Sequence, residues 1–482
     1  MTRAEPVPQG GPATLPAGVT APIPSELLRL ALPVLASQFL RVAYQWVDAL
    51  WVRGLGVEAT AAVTTSVFVM WTVYSLHDIF GIGVAAYVSQ LLGAGERGRA
   101  GLAAYKGVRA AALLGLAGTA LGVFGARSVY QLMNAGPGVT ENGARYLAVV
   151  LGAAPIPMTA LTCETIMRSA GDTRTPLLID LCAVGLNALL DPIFIYGWGP
   201  VPAMGVAGAA WATVMAQAVM VAGYLSMAAR GHRALPLTRT APGPPVRIAG
   251  MARVGIPGAI IGMMFSVVYI AFSRSAARYG SAALAVVGIA NRIEALAFMN
   301  AVAIGVAGAT LVGQNLGAGR PDRAVQVVRT GLIWMLWVSA FMTLAFLLLP
   351  GFFLGLFSHD PGVHRIGVPY LRVLAICLVF TGAEVVTAES ILGSGHTRPI
   401  SWIFTTFSML RIPLAFLIPD WTGLGVVGIA WVITVTCILR ALIIVTWAAR
   451  GTWKTGLRRE LHGAERLLAE RPGLAEPPGL PE

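Results

Sequence analysis

Charged residues are scarce in this chain. Only 12% of its 482 residues are Asp, Glu, Lys or Arg, 56% are apolar, and the mean hydropathy is +0.73. So few charges cannot cover the water-facing surface of a soluble protein of this length, and the lipid bilayer is therefore the expected environment. The net charge of +12 lies in short gaps between apolar runs and not on a polar domain, which argues against a nucleic-acid partner.

Cysteines and catalytic motifs are also rare. The four cysteines stand singly in apolar segments, without CxxC pairs or histidines at metal-ligand spacing, so neither a disulfide framework nor a zinc site is predicted. No G-x-x-x-x-G-K-[ST] motif occurs, which argues against a pump with its own nucleotide domain. The loops are too short to hold the water-facing catalytic cluster of a membrane transferase. We therefore expect neither enzymatic activity nor a cofactor.

Long apolar runs divide the chain into membrane-spanning helices. A spanning helix needs roughly 20 mostly apolar residues, because it rises about 1.5 Å per residue across about 30 Å of hydrocarbon. Twelve runs meet this rule: 27–51, 61–89, 101–123, 144–167, 176–197, 205–228, 255–275, 283–312, 325–349, 368–392, 399–418 and 425–449. The predicted fold class is an all-α integral membrane protein with twelve transmembrane helices.

The two halves of the chain repeat one another. Pro33 aligns with Pro257 at an offset of 224 residues, and the same offset aligns residues 90–95 with residues 314–319 as Q-x-L-G-A-G and Arg99 with Arg323. Because each half has six spans, both halves start on the same side of the membrane. The spans are therefore predicted to form two pseudo-symmetric six-helix bundles, related by a parallel repeat with its axis along the membrane normal. Paired bundles of this kind hold a substrate between them and expose it to alternate sides by rocking.

The repeat and the charge pattern predict five segments. They are a disordered cytoplasmic N-terminus at 1–24, an N-lobe at 25–229, an inter-lobe linker at 230–249, a C-lobe at 250–450 and a cytoplasmic tail at 451–482. Basic residues concentrate in the gaps on one side, which by the positive-inside rule is the cytoplasm. We expect a monomeric, multi-pass protein of the plasma (inner) membrane with both termini in the cytoplasm.

Several stretches resemble the multidrug and toxic compound extrusion family, the MATE transporters. In the first half they are LALPVLASQFLRVAYQWVDALWVRGLGVEATAAV, CETIMRSAGDTRTP, LNALLDPIFI and GVAGAAWATV, and in the second half NRIEALAFMNAVAIGVAGATLVGQNLGAGRPDRA and ILGSGHTRP. The resemblance covers about residues 25 to 450. It implies a secondary-active antiporter that exports small amphipathic, cationic organic compounds in exchange for H⁺ or Na⁺. The alternative is a flippase for a lipid-linked saccharide precursor, in which Arg41, Arg274 and Arg411 would hold the pyrophosphate.

Ionisable residues inside a bilayer need a partner or a function, and the first lobe holds most of them. Asp48 lies late in the first predicted span, and Asn187 and Asp191 lie four residues apart on one face of the fifth. Two carboxylates with an amide can bind Na⁺ through oxygen or share a proton. These three residues match the family's cation-coupling motif, and the resemblance adds Thr213. Arg41, seven residues before Asp48, leaves a structural alternative in which it neutralises that acid.

Three other charges of the first lobe have a simpler expected role. Glu164 and Arg168 stand four residues apart at the end of the fourth span, which favours an ion pair along the helix. Asp180, in the fifth span, has no evident partner in the sequence, and Arg168 or Arg174 is a candidate.

The second lobe differs from the first at the coupling positions. Phe272 stands where the repeat places the equivalent of Asp48. Three glutamates and three apolar side chains of this lobe are candidates for substrate or proton binding: Glu294, Glu384, Glu389, Met264, Tyr269 and Phe298. The alternatives are that local polar contacts hold Glu294 and Arg292 in place and that the other three side chains serve ordinary packing.

Overall fold

The computed structural model describes residues 15–133, 135–457 and 460–461, and these residues are mostly helical. Their α-helices are α1 Ala17–Thr20, α2 Ile23–Val52, α3 Val57–Ser75, α4 Asp78–Gly93, α5 Arg97–Ala120, α6 Ala126–Leu132, α7 Pro137–Gly152, α8 Pro155–Ser169, α9 Arg174–Tyr196, α10 Val206–Ala229, α11 Ile248–Ala277, α12 Ser281–Gly317, α13 Pro321–Leu348, α14 Pro350–Gly355, α15 Pro361–Leu392, α16 Thr397–Trp421 and α17 Val426–Ala449. The predicted all-α fold class is confirmed.

Twelve membrane spans can be traced through these helices. Eleven helices are long and apolar enough to cross a membrane, and α7 with α8 forms a further span that is bent by 52°. Pro155 begins α8 at this bend, and a proline lacks the N–H that would continue the preceding helix. The predicted span at 61–89 is also divided, into α3 and α4, at residues 76–77. The twelve predicted spans are thus present, two of them as pairs of helices.

The C-lobe repeats the N-lobe with fewer interruptions. α12 is a single helix of 37 residues where the N-lobe has α3 and α4, and α15 is a single helix of 32 residues where the N-lobe has α7 and α8. One large apolar core joins α11, α12, α15, α16 and α17, with Phe272, Val287 and Ile433 among its side chains. The equivalent part of the N-lobe contains two smaller cores, around Val52 and around Tyr130.

The two lobes interlock on one side of the bundle. We call this side the terminal face, because residues 15–22, 452–457 and 460–461 lie there. The start of α2, with Ile23, Leu27 and Leu30, packs into a core built mainly by α12, α13 and α15 of the C-lobe. The start of α11, with Met251 and Val254, packs into a core built mainly by α4, α5 and α8 of the N-lobe. Each lobe therefore holds the first turns of the other lobe's first helix.

Both ends of the described chain are ordered against the lobes. Within the predicted disordered segment 1–24, Ala17–Thr20 is helical and packs on α12, while residues 1–14 lie outside the described residues. Within the predicted tail 451–482, Thr452–Thr455 forms a 3₁₀ turn and Leu457 is buried, while residues 458–459 and 462–482 lie outside the described part. These ends are ordered because apolar residues such as Val19 and Trp453 are buried between the helix ends.

The contact between α9 and α10 leaves no room for a side chain at Gly208. A Cβ there would lie 2.3 Å from the carbonyl oxygen of Phe194, a backbone atom that cannot turn away. Gly223, also on α10, has no heavy atom within 4 Å of an added Cβ. We expect Gly208→Ala to lower the thermal midpoint of the purified protein in detergent, because overpacking costs about 1–3 kcal/mol. Gly223→Ala should leave the midpoint unchanged or slightly higher, since alanine favours the helix. Equal midpoints for both variants would contradict this packing.

Candidate functional site

The acidic residues of the N-lobe meet in its interior. Asp48 comes from α2, and Asn187 and Asp191 come from α9, where their spacing of four places them on one face. Asn187 Nδ2 donates to Asp191 Oδ1 at 3.3 Å, and Asp48 lies close enough for its carboxylate to repel that of Asp191. Asn187 and Asp191 are fully buried, and Asp48 is 8% exposed. The structure therefore brings together the three residues that the sequence singled out.

Several oxygens of this cluster are buried without a protein partner. Asp48 Oδ1, Asn187 Oδ1 and Asp191 Oδ2 make no hydrogen bond within the described chain. A buried acceptor without a partner is costly, and a carboxylate more so than an amide. A proton shared between the two acids would satisfy the carboxylates, and a sodium ion would satisfy all three oxygens. The donor set fits either cation.

Two neighbours complete the surroundings of this site. Thr213, on α10, is 2% exposed and donates its hydroxyl to Ala209 O at 3.0 Å, which leaves the oxygen's lone pairs available. Tyr44, one helical turn before Asp48, has a buried hydroxyl without a partner in the described residues. The sequence analysis missed Tyr44, although its spacing of four from Asp48 is the signal that would have found it.

Pro192 loosens α9 beside the acids. It lies inside the helix, directly after Asp191. A proline inside a helix removes one backbone donor, so the carbonyl of Ala188, one turn earlier, lacks its usual partner. This position, four residues before the proline, is next to Asn187. The backbone can therefore supply a further oxygen at the same level of the helix.

Arg41 does not neutralise Asp48. Its guanidinium pairs with Glu164 of α8, and it approaches Asp180 Oδ2 at 4.0 Å. Arg168 pairs with the same glutamate, as its spacing predicted. Asp180 therefore faces Arg41, which the sequence analysis did not consider as its partner. The structural alternative for Arg41 is correct in kind, because it forms an ion pair, but wrong in the acid that it pairs with.

These charges form two separate layers in the N-lobe. Asp180 and Asp191 are both on α9, and eleven residues of helix separate them by about 16 Å. The layer nearer the terminal face contains both acids and arginines, and it is paired internally. In the described chain no basic side chain pairs with Asp48 or Asp191 of the other layer. That layer is therefore negatively charged unless it binds a cation.

The C-lobe contains a second polar cluster with a different composition. Arg440 Nε lies 2.5 Å from Glu384 Oε1, and its guanidinium carbon lies 3.9 Å from the centroid of the Phe404 ring. Arg411 donates to Thr436 Oγ1 at 2.8 Å and to Cys437 Sγ at 2.9 Å, instead of to a carboxylate. Glu384 is therefore held in an ion pair with Arg440.

The remaining candidate residues of the C-lobe are divided between two places. Glu294 is partly exposed, and Tyr269 donates its hydroxyl to Glu294 Oε2 at 3.4 Å. Glu389 lies apart from this pair, packed over Gly305. Met264 is half-buried on α11. The structure therefore joins Tyr269 with Glu294 and leaves Glu389 separate.

A line of aromatic rings crosses between the lobes. The ring centroid of Phe265 lies 4.6 Å from that of Tyr269, 6.4 Å from that of Phe298 and 6.3 Å from that of Trp71, which belongs to the N-lobe. Trp71 is 50% exposed and Phe298 40% exposed. Trp71 of the N-lobe therefore meets the rings of the C-lobe and stays partly exposed there, whereas Phe272 is buried in the C-lobe core.

The arginines required by the flippase alternative are not gathered in one cavity. Arg41 is engaged by Glu164 in the N-lobe, Arg411 lies inside the C-lobe, and Arg274 is an exposed residue of the last turn of α11. The sequence analysis also overlooked Arg440. An arginine within an otherwise apolar span is the signal that would have found it.

Comparisons with known proteins agree on one family. The model of the MatE family matches residues 33–193 and 257–417, and these two ranges repeat at the offset of 224 residues found in the sequence. A protein of Thermotoga maritima named "Probable multidrug resistance protein NorM" is 27% identical over 443 residues, which cover 91% of this chain and 95% of the relative. The "FAD transporter" of Shewanella oneidensis is 26% identical over 412 residues, 83% of this chain and 89% of the relative.

Solved structures show the same fold. A structure described as "MATE in the bent conformation" superposes with a TM-score of 0.84 at 22% identity, covering 91% of this chain and 98% of that chain. A transporter from Pyrococcus furiosus, described as having a binding pocket of reverse polarity, gives a TM-score of 0.82 at 22% identity, with coverage of 90% and 97%. Because the family model matches more than half of the residues, in two copies, this chain belongs to the MATE family of membrane transporters.

Proposed function

We propose that this transporter is a cation-coupled antiporter that takes up H⁺ or Na⁺ at Asp48, Asn187 and Asp191. The observation that carries the proposal is the set of three buried oxygens without a protein partner. A site that is negatively charged and enclosed must bind and release a cation each time its access to water changes. Thr213 and Tyr44 border this site and offer further hydroxyl oxygens to a bound cation.

The exported compounds in this proposal are amphipathic and preferentially cationic. The rings of Trp71, Phe265 and Phe298 offer apolar contact and cation–π attraction. Glu294 accepts a hydrogen bond from Tyr269, whose ring lies against that of Phe265, so its carboxylate is next to these rings. The names of several relatives, which describe multidrug resistance or multidrug export, support a broad range of organic substrates. Because one relative is named "FAD transporter", an anionic flavin is the useful test compound to compare with organic cations.

The proposed orientation places the terminal face in the cytoplasm. Arg97, Arg230 and Arg398 are exposed in connections on that side, which supports the positive-inside assignment. Both termini are then cytoplasmic in a plasma membrane protein that works as a monomer. Opening of the opposite side exposes the aromatic line to the outside, and opening of the terminal face exposes it to the cytoplasm.

Removing either acid should abolish coupling. We expect Asp48→Asn and Asp191→Asn to reduce gradient-driven transport of a fluorescent organic cation in proteoliposomes to the level of empty vesicles, because an amide takes up no proton and binds Na⁺ weakly. Asp420→Asn is the matched control: Asp420 is exposed and pairs with Arg278 away from the site. Full transport by both site variants, with intact folding, would refute the assignment.

The coupling ion can be identified with the same vesicles. A pH gradient without Na⁺ and a Na⁺ gradient at equal pH are imposed separately on the wild-type protein. If the proton is the coupling ion, only the first drives transport; if Na⁺ is, only the second does. Transport that depends on neither gradient would contradict the antiport proposal and leave the transporter assignment unchanged.

The charge of Glu294 should set the preference for cations. We expect Glu294→Gln to raise the KM for a cationic dye about tenfold, because a charge-assisted contact is lost. The KM for a neutral dye of similar shape should change less than about twofold, and transport of an anionic flavin should not fall. Glu141→Gln, a change at an exposed acid paired with Arg145, is the control. Equal effects on all three compounds would contradict a role in charge selection.

A further inference from the structure

The repeated segment Q-x-L-G-A-G lies where the two lobes touch on the terminal face. Gln90 is near the end of α4, and Gln314 is at the equivalent place near the end of α12. Both side chains are 1% exposed. A primary amide that is buried between apolar helices has two donors and an acceptor to satisfy, and failing to do so costs about 1–3 kcal/mol. The hydrogen-bond partners of these two amides therefore indicate the structural role of the segment.

Each amide donates to the opposite lobe. Gln90 Nε2 donates to the carbonyl of Gly393, at the end of α15, at 2.9 Å. Gln314 Nε2 donates to the carbonyl of Ser169, at the end of α8, at 3.0 Å. Residues 169 and 393 are themselves equivalent at the repeat offset of 224 residues. The two hydrogen bonds are thus copies of one contact, and each crosses the boundary between the lobes.

The backbones of α4 and α12 also touch at this point. A Cβ on Gly93 would lie 2.0 Å from Gln314 O, and a Cβ on Gly317 would lie 1.9 Å from Gln90 O. Only glycine permits an approach this close. The repeated glycine therefore lets the helices cross near their ends, and the repeated glutamine provides the hydrogen bonds across the crossing.

The chain ends contact the same residues. Gln90 Oε1 accepts from the backbone N–H of Leu457, and Arg99 donates to Leu461 O at 2.6 Å. On the other lobe Asn315, beside Gln314, donates to Gly18 O at 2.9 Å. Arg323, the repeat equivalent of Arg99, donates to Ala21 O at 2.7 Å. The N-terminal segment is thus bound to the C-lobe, and the C-terminal segment to the N-lobe.

We propose that Gln90 and Gln314 are paired positioning residues that hold the terminal face of the transporter closed, with the two chain ends as straps across it. Their cross-lobe bonds exist only while the lobes are together on this side. When the face opens, both amides lose Gly393 and Ser169 and must be hydrated, so the glutamines stabilise the closed state selectively. This inference rests on the proposed alternating access, but its test requires no substrate.

A cysteine at position 89 reports opening of this face directly. Ser89 is 1% exposed, and Gly313 of the other lobe covers it: an added Cβ there would lie 2.0 Å from Ser89 Oγ. The reporter is Ser89→Cys in a Cys182→Ser background, because Cys182 is the exposed native cysteine of the described chain. Its reaction rate with a water-soluble maleimide in lipid nanodiscs is proportional to the fraction of molecules open on the terminal face.

We expect Gln314→Ala to raise the labelling rate of this thiol about tenfold. Gln314 is the more decisive of the two glutamines, because it lies on the lobe that does not carry the reporter. Gln90→Ala should give a similar increase, and the double variant a larger one. Gln131→Ala, at an exposed glutamine of α6, should leave the rate unchanged. The same preparations are checked for an unaltered thermal midpoint.

A chain that ends at Thr455 tests the strap without changing either lobe. It removes Leu457 and Leu461, so the labelling rate of the reporter cysteine should also rise. Gln90→Ala should then increase the labelling rate less in the shortened chain than in the full one. Unchanged labelling in Gln314→Ala and in the shortened chain, with unaltered thermal midpoints, would overturn the proposal. The labelling rate is measured without a substrate or an ion gradient, so failure of the coupling assignment is recognised separately, in the transport assays of the acid variants.

Discussion

The ion pair between Arg41 and Glu164 determines which acids of the N-lobe have no basic partner. A charged side chain inside a bilayer needs either a partner or a function. α2 carries both Arg41 and Asp48, seven residues apart. If Arg41 paired with Asp48, it would offset one of the two carboxylates of this cluster and weaken the attraction of the proposed site for a cation. Because Glu164 engages Arg41 instead, and Arg168 pairs with the same glutamate, the acids at Asp48 and Asp191 remain without a basic partner in the described residues. The negative charge of the layer with Asp48 and Asp191 therefore depends on an ion pair in the layer nearer the terminal face.

The two lobes share a fold but have divided the chemistry between them. Phe272 replaces the first acid of the N-lobe and is part of an apolar core in the C-lobe. The charges that the C-lobe does bury include a matched pair, Arg440 with Glu384, backed by the ring of Phe404. A paired charge of this kind gains little from binding a further ion. The two bundles thus share a fold, but at the position of Asp48 the C-lobe has the apolar Phe272, so the cluster of Asp48, Asn187 and Asp191 is specific to the N-lobe.

The sequence predicted most of the architecture because spans and repeats are properties of composition and register. Asn187 and Asp191 were also predictable, since a spacing of four places them on one helical face whatever surrounds the helix. The partner of Arg41 was not: Glu164 is 123 residues away in the chain, and only the packing of α2 against the other helices brings the two together. The break of one predicted span into α3 and α4 was likewise unpredicted, because no proline or glycine stands at residues 76–77.

The proposed coupling site and the terminal face are connected by one helix. α2 begins among the side chains of the C-lobe, with Leu27 and Leu30 in the core there, and it carries Asp48 near its other end inside the N-lobe. Pro33 lies between these two parts and removes a backbone hydrogen bond from the helix. In the proposed coupling, a change of charge at Asp48 alters which neighbours can donate a hydrogen bond to its side chain, and Pro33 marks the part of α2 where the backbone lacks a hydrogen bond. The lobe with the proposed cation site therefore shares a helix with the contact that must break if the terminal face is to open.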